Sequence, residues 1–215
     1  MIDGPRILPA AGGKPNSLVV FLHGYGADGN DLIGIGRDWQ RTLPHAAFVS
    51  PNAPELCPGT PMGRQWFPLT MRDASEFARG VGRARPALDV FLDAELQRHG
   101  LDESACALVG FSQGTMMALH VGPQRRRPLA GIVGFSGLLA DPAALRGSFV
   151  QKQPVLLIHG DRDDLIPVAA IFQAAEGLAA AEIPVEWHIS RDVPHGIGAD
   201  GIELGRAFLQ RVLPR

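Results

Sequence analysis

Ala105-Cys106-Ala107-Leu108-Val109-Gly110-Phe111-Ser112-Gln113-Gly114-Thr115-Met116-Met117-Ala118-Leu119-His120 joins two apolar runs through a G-x-S-x-G. The first run has the length of a buried strand, and the second is rich in helix formers. Strand, sharp turn and helix is the context in which this motif lifts a serine hydroxyl out of a sheet. The glycines flanking Ser112 allow a strained backbone and let neighbouring segments pack close. The helix that follows points its positive end at any negative charge developing beside the turn. Taken alone, the motif also reads as an ordinary tight strand-to-helix turn, so the rest of the chain has to decide.

Outward from this stretch, short apolar runs alternate with longer helical patterns. Strands are predicted over 18–22, 46–50, 105–109, 132–135, 155–158 and 185–189. Helices are predicted over 31–43, 74–100 with an interruption near Pro86, 113–121, 168–182 and 200–212. Such alternation with near-continuous apolar strands predicts an α/β fold, a mostly parallel central sheet with helices on both faces. No internal repeat or second domain is visible, so residues 1–215 are expected to form one domain. The stretch 51–71 is loop-like, with five prolines and the large apolar Trp66, Phe67 and Leu69. A loop of that length inside a compact domain is unusual unless it is functional.

Composition excludes several function classes. The apolar fraction of 46% supports a sizeable core, and a net charge of -2 suggests neither a nucleic-acid partner nor an anionic membrane surface. The one basic cluster, Arg125-Arg126-Arg127, reads as a solvated loop that complements a helix C-terminus. The two cysteines make no disulfide framework: Cys106 reads as a core thiol, and Cys57 sits in the Pro-rich loop. The N-terminal residues show no signal peptide, and no apolar run approaches a membrane span. The expectation is a cytoplasmic enzyme without stable membrane insertion.

In such a sheet, ligands bind beyond the carboxyl ends of the strands. Those ends carry His23-Gly24-Tyr25-Gly26, the Ser112 turn, His159-Gly160-Asp161-Arg162-Asp163-Asp164, and Pro194-His195-Gly196. A serine needs an adjacent base, and the base needs an orienting carboxylate, in the chain order Ser, Asp, His for this arrangement. Of the seven histidines, only His195 combines a Pro-His-Gly loop, the right order and the right edge. Asp161, Asp163 and Asp164 all remain candidates for the acid, because spacing alone does not choose among them. One half of an oxyanion hole would be the backbone N–H of Gln113, and the Gly24-Tyr25-Gly26 turn would supply the other. That turn lacks both phosphate-binding glycine patterns, and no cluster has zinc spacing, so neither a cofactor nor a metal is implied.

With these residues in view, the chain resembles the phospholipase/carboxylesterase family of α/β-hydrolases, which includes small bacterial carboxylesterases and acyl-protein thioesterases. The resemblance spans nearly the whole chain. It rests on Leu22-His23-Gly24-Tyr25-Gly26-Ala27-Asp28-Gly29, Ser50-Pro51-Asn52-Ala53-Pro54, Arg64-Gln65-Trp66-Phe67, the Ser112 motif, the stretch from His159 to Pro167, and Pro194-His195-Gly196. It implies that the acid is Asp163, which stands ahead of Asp164-Leu165-Ile166-Pro167, and that Tyr25 supplies the second oxyanion N–H. Two departures stand out: Tyr25 occupies a position where the family usually has Leu, and Pro68 one where many members have Asp.

The reading is a serine carboxylesterase with Ser112, Asp163 and His195 as catalytic residues and Gln113 and Tyr25 as oxyanion donors. Trp66, Phe67, Leu69 and Met116 are the expected lining of an apolar acyl pocket, and the partner is a small-molecule ester. An acyl-thioesterase or lysophospholipase using the same residues is the nearest alternative. A non-catalytic binding protein on a hydrolase scaffold is the alternative of another class. The resemblance leaves a homodimer open, and no sequence feature demonstrates one.

Overall fold

Residues 2–70, 73, 75–147 and 149–214 are described by the computed structural model. In chain order the strands are β1 (Arg6–Ile7), β2 (Ser17–Leu22), β3 (Ala46–Val49), β4 (Glu55–Leu56), β5 (Arg64–Gln65), β6 (Cys106–Phe111), β7 (Gly131–Phe135), β8 (Val155–Gly160) and β9 (Val185–Ser190). The helices are α1 (Gly29–Trp39), α2 (Glu76–His99), α3 (Gln113–Val121), α4 (Ala169–Ala180) and α5 (Ala199–Val212). Seven strands form one sheet in the order β1-β3-β2-β6-β7-β8-β9. Every pairing in it is parallel except β1 with β3.

The central strands are apolar throughout because they are covered on both faces, and their side chains divide by a period of two. Leu18, Val20 and Leu22 of β2 and Leu108 of β6 pack with α2, α3 and α4. Val19 and Phe21 of β2 and Val109 of β6 pack on the other face with α1 and α5. The chain runs from β2 outward to β3 and returns to β6 on the far side of β2. The order of strands therefore reverses between β2 and β6, and the crevice at their carboxyl ends is where such sheets bind ligands.

Three expectations need correction. The helix predicted over 74–100 is not interrupted: α2 runs unbroken through Pro86. Pro86 lies on the exposed face, so the Gly82 carbonyl that loses its partner there faces water, while Val81, Ala84, Leu88 and Phe91 keep a continuous buried stripe. Ala74, the expected start of that helix, lies outside the described residues, as does Met71 at the end of the predicted loop. The 51–71 stretch is not structureless, since β4 and β5 pair as an antiparallel hairpin within it. Arg125 is not solvated: its side chain is buried among Asp89, Asp93 and Glu103. Only a carboxylate cluster makes burial of a guanidinium tolerable.

Candidate active site

Ser112 sits between β6 and α3 at φ 53° and ψ -115°, a region that side chains other than glycine rarely occupy. The strain falls on the serine itself, and the two motif glycines solve a packing problem around it. A Cβ on Gly114 would lie 1.8 Å from the Leu22 carbonyl oxygen of β2, and one on Gly110 would lie 2.5 Å from the Gly114 backbone. The turn is also pinned from β7: Ser112 N–H donates to Phe135 O at 2.9 Å, and the Thr115 hydroxyl donates within reach of both Gly110 O and Phe135 O.

The loop after β9 brings His195 to this turn. Its Nε2 lies 3.0 Å from Ser112 Oγ, and its Nδ1 lies 2.7 Å from Asp163 Oδ2. The Asp163 side chain is fully buried, and its other oxygen, Oδ1, accepts the N–H groups of Leu165 and Ile166. Burial of a carboxylate is tolerable only where donors satisfy its oxygens in this way. Close backbone approach makes the geometry reachable, for a Cβ on Gly160 would lie 2.2 Å from Val193 O. Asp161 is engaged elsewhere, because its Oδ1 accepts from Asp192 N–H at 2.7 Å and ties the two loops together. Asp164 is exposed. Thus one of the three acids left open by spacing contacts the histidine.

The turn after β2 lies on the other side of the serine. Gly24-Tyr25-Gly26-Ala27 closes with Ala27 N–H donating to Gly24 O, and Gly26 takes φ 80°, the glycine position of a type II turn. Tyr25 N–H is not consumed by that turn, and the first N–H groups of α3 have no intrahelical partner. His23 braces the turn from below. Its Nε2 accepts from Ala53 N–H at 3.0 Å, so its proton is on Nδ1, which donates to Gly24 O at 2.8 Å. Burial holds its pKa below the usual histidine value, which keeps it neutral.

Gln113 does more than its backbone suggests. Its side-chain oxygen accepts from Trp66 N–H at 2.8 Å, and its amide nitrogen donates to Phe67 O at 2.7 Å. Trp66 Nε1 in turn donates to His23 O at 3.0 Å. The buried amide therefore clamps the end of the hairpin onto the first turn of α3. Trp66, Phe67 and Met116 are buried in the core cluster beneath the site, and Leu69 is half-buried against it. A hollow of about 510 Å³ beside Ser17, Leu43 and Leu213 lies at the opposite end of the sheet and holds none of these groups.

Sequence reasoning missed Ser136, whose hydroxyl donates to Gly196 O at 2.9 Å and anchors the His195 loop. It also missed Phe111, whose ring lies 5.1 Å from the His195 ring. Single residues at or just past strand ends carry no pattern of their own that would have marked either. Among the described residues, no group of His, Cys, Asp and Glu is arranged to hold a metal ion, and no helix is long and apolar enough to cross a membrane.

Comparison with known proteins agrees with this fold. The family model described as Phospholipase/Carboxylesterase matches residues 5–213. The chain belongs to that family. A solved structure described as esterase PE8 shares 42% identity at a TM-score of 0.94, with 99% of each chain covered. Acyl-protein thioesterase 1 of Gibberella zeae is 26% identical over 98% of this chain and 96% of its own. Esterase YpfH of Escherichia coli is 27% identical over 94% of this chain and 86% of its own. The protein is an α/β-hydrolase of the esterase and thioesterase type.

Proposed function

We propose that this α/β-hydrolase acts as a serine carboxylesterase through Ser112, His195 and Asp163, within a single domain of residues 1–215. One observation carries the reading: the unbroken line of contacts from Ser112 Oγ through both ring nitrogens of His195 to Asp163 Oδ2. His195 Nε2 takes the serine proton as Oγ attacks the ester carbonyl, and Asp163 fixes the ring tautomer and stabilises the imidazolium. The N–H groups of Gln113 and Tyr25 hold the oxyanion. Collapse expels the alcohol, which takes its proton from His195 Nε2. Water then attacks the acyl carbonyl as it gives a proton to His195 Nε2, and the acyl–Oγ bond breaks to release the acid while Ser112 Oγ takes that proton back. The chemistry draws on no cofactor.

Trp66, Phe67 and Met116, expected to line the acyl pocket, are buried and back it from within the core, and the half-buried Leu69 is the side chain the acyl group meets in this reading. The substrate is a small ester, and neither nucleic acid nor membrane insertion has a part. A thioester is the second reading, favoured by the thioesterase names of several relatives. The cytoplasm is the expected compartment, since the buried Cys57 and Cys106 are free thiols and stay so in reducing surroundings. Burial pushes the Cys106 thiol up to about 12, so it is not a competing nucleophile.

The test is fluorophosphonate labelling of wild type and Ser112→Ala, followed by hydrolysis of p-nitrophenyl esters of graded acyl length and one acyl-thioester. Labelling confined to wild type, with ester turnover lost in Ser112→Ala and circular dichroism unchanged, is the expected result. Near-wild-type turnover in the variant removes the mechanism.

A further inference from the structure

A second histidine touches the acid. His159 lies at the end of β8, and its side chain is buried. Its Nε2 is 2.8 Å from Ile166 O and 3.2 Å from Asp163 Oδ2, the same oxygen that faces His195. A carbonyl and a carboxylate are both acceptors, and a bare ring nitrogen would present a lone pair to each. The proton is therefore on Nε2. Its N–H is directed to Ile166 O, and the positive edge of the ring faces Asp163.

We infer that His159 is a positioning residue for the acid: it closes the 163–166 turn around the carboxylate and tempers the charge that Asp163 presents to His195. The inference rests on the serine esterase reading and deepens it. Closing the turn matters because Leu165 and Ile166 supply the two N–H donors to Asp163 Oδ1. A shift of Ile166 would loosen those donors and let the carboxylate turn while still bonded to His195, so that the ring is held in line with Ser112 less of the time. Tempering matters because a positive ring edge beside Oδ2 lowers the negative potential that favours the imidazolium. Asp161, Arg162 and Asp164 of the same turn are exposed. Among the described residues, Asp163 is the one carboxylate in contact with the His159 ring.

The experiment compares wild type, His159→Phe and His159→Gln by kcat, KM and the pH profile of kcat/KM. Phe keeps a ring and removes the N–H, whereas Gln keeps an amide donor near the ε position. For His159→Phe, kcat is expected to fall about tenfold, as for loss of a hydrogen bond in a charged network, with KM nearly unchanged. The acid limb of kcat/KM is expected to move to higher pH by about half a unit, because the untempered carboxylate holds the proton on the base more tightly. His159→Gln should return both toward wild type. A lowered melting temperature with kcat and the acid limb unchanged would mean a purely structural histidine and overturns the inference, as does an acid limb that moves downward. If His159→Phe does not fold, His159→Asn, which is polar but too short to reach, is judged by the same two readouts. Fluorophosphonate labelling of wild type separates the failures: no labelling removes the esterase reading itself, whereas labelling with indifferent His159 variants removes only the role of His159.

Discussion

Asp163 and its neighbours show how little separates a catalytic acid from a structural one. Asp161 and Asp163 are both bonded and only two residues apart, but Asp161 meets a backbone N–H and Asp163 meets an imidazole. Conversion of Asp161 to Asn leaves an oxygen that still accepts from Asp192, and Asp164→Asn changes an exposed side chain. Asp163→Asn puts an amide where the histidine needs an acceptor, a change that lowers kcat roughly 10⁴-fold in a serine-protease triad. The expected outcome is a loss of at least about 100-fold for Asp163→Asn, with the other two within about threefold of wild type. Steady-state kinetics on three folded variants decides it, and a crippled Asp161→Asn or Asp164→Asn reassigns the acid. Gln113→Met tests a different contribution, since it keeps the backbone N–H and removes both clamp bonds. Unpairing Trp66 N–H and Phe67 C=O should cost about 1–3 kcal/mol each in stability. It should also raise KM more for long acyl esters than for acetate, because the pocket wall loosens while the serine stays intact. A chain-length profile that merely scales down evenly argues against the clamp.

The elements differ in how plainly the sequence announced them. Residues 18–22 and 155–158 are apolar runs of strand length, 185–189 carries Val185, Trp187 and Ile189 at alternate positions, and each lies inside an observed strand. The Ser112 motif was legible because its glycines have one packing reason each. Gly114→Ala is accordingly expected to be severe: its Cβ meets backbone rather than a movable side chain, so β2 and α3 must separate. Overpacking of that kind costs typically about 1–3 kcal/mol, and the shift falls on the oxyanion turn that follows β2. The prediction is a lowered melting temperature together with lost activity, and a fully active, equally stable Gly114→Ala would contradict the close-approach argument. Two-residue strands such as β1, β4 and β5 escaped notice because they carry no periodicity. Pro86 misled because a proline's cost depends on which face it occupies, which local sequence does not state. Ser136 and His159 went unassigned for a related reason, since their partners lie 60 residues and 7 residues away across turns that had first to be folded.

At the scale of the whole molecule, the buried histidines set an acid limit on stability. Burial lowers the pKa of His23, His99 and His120 from the ordinary value of 6.5, and desolvation is the leading cause in each. The unfolded chain therefore binds more protons than the folded one as pH falls below about 6.5. Stability from these groups is complete above that value and is lost as pH falls toward their lowered folded values. Urea midpoints measured between about pH 7.5 and 5.5 should decrease steadily, and His23→Gln should flatten the slope. A midpoint that holds level or rises on acidification would contradict the assignment of neutral buried histidines.

The sheet order also dictates when the protein becomes competent during its own manufacture. Ser112 and His195 are 83 residues apart in the chain. At roughly 5–20 residues per second, the ribosome adds the base some 4 to 17 seconds after the nucleophile. Through that interval the nascent polypeptide carries a serine with no partner, and the edge strand that delivers His195 is the last strand made. A fragment ending at residue 180 should therefore be inert toward fluorophosphonate. Reactivity in such a fragment would show that the serine turn activates its hydroxyl without His195. The interval gives the host a window in which a half-made hydrolase is harmless to the acyl esters around it.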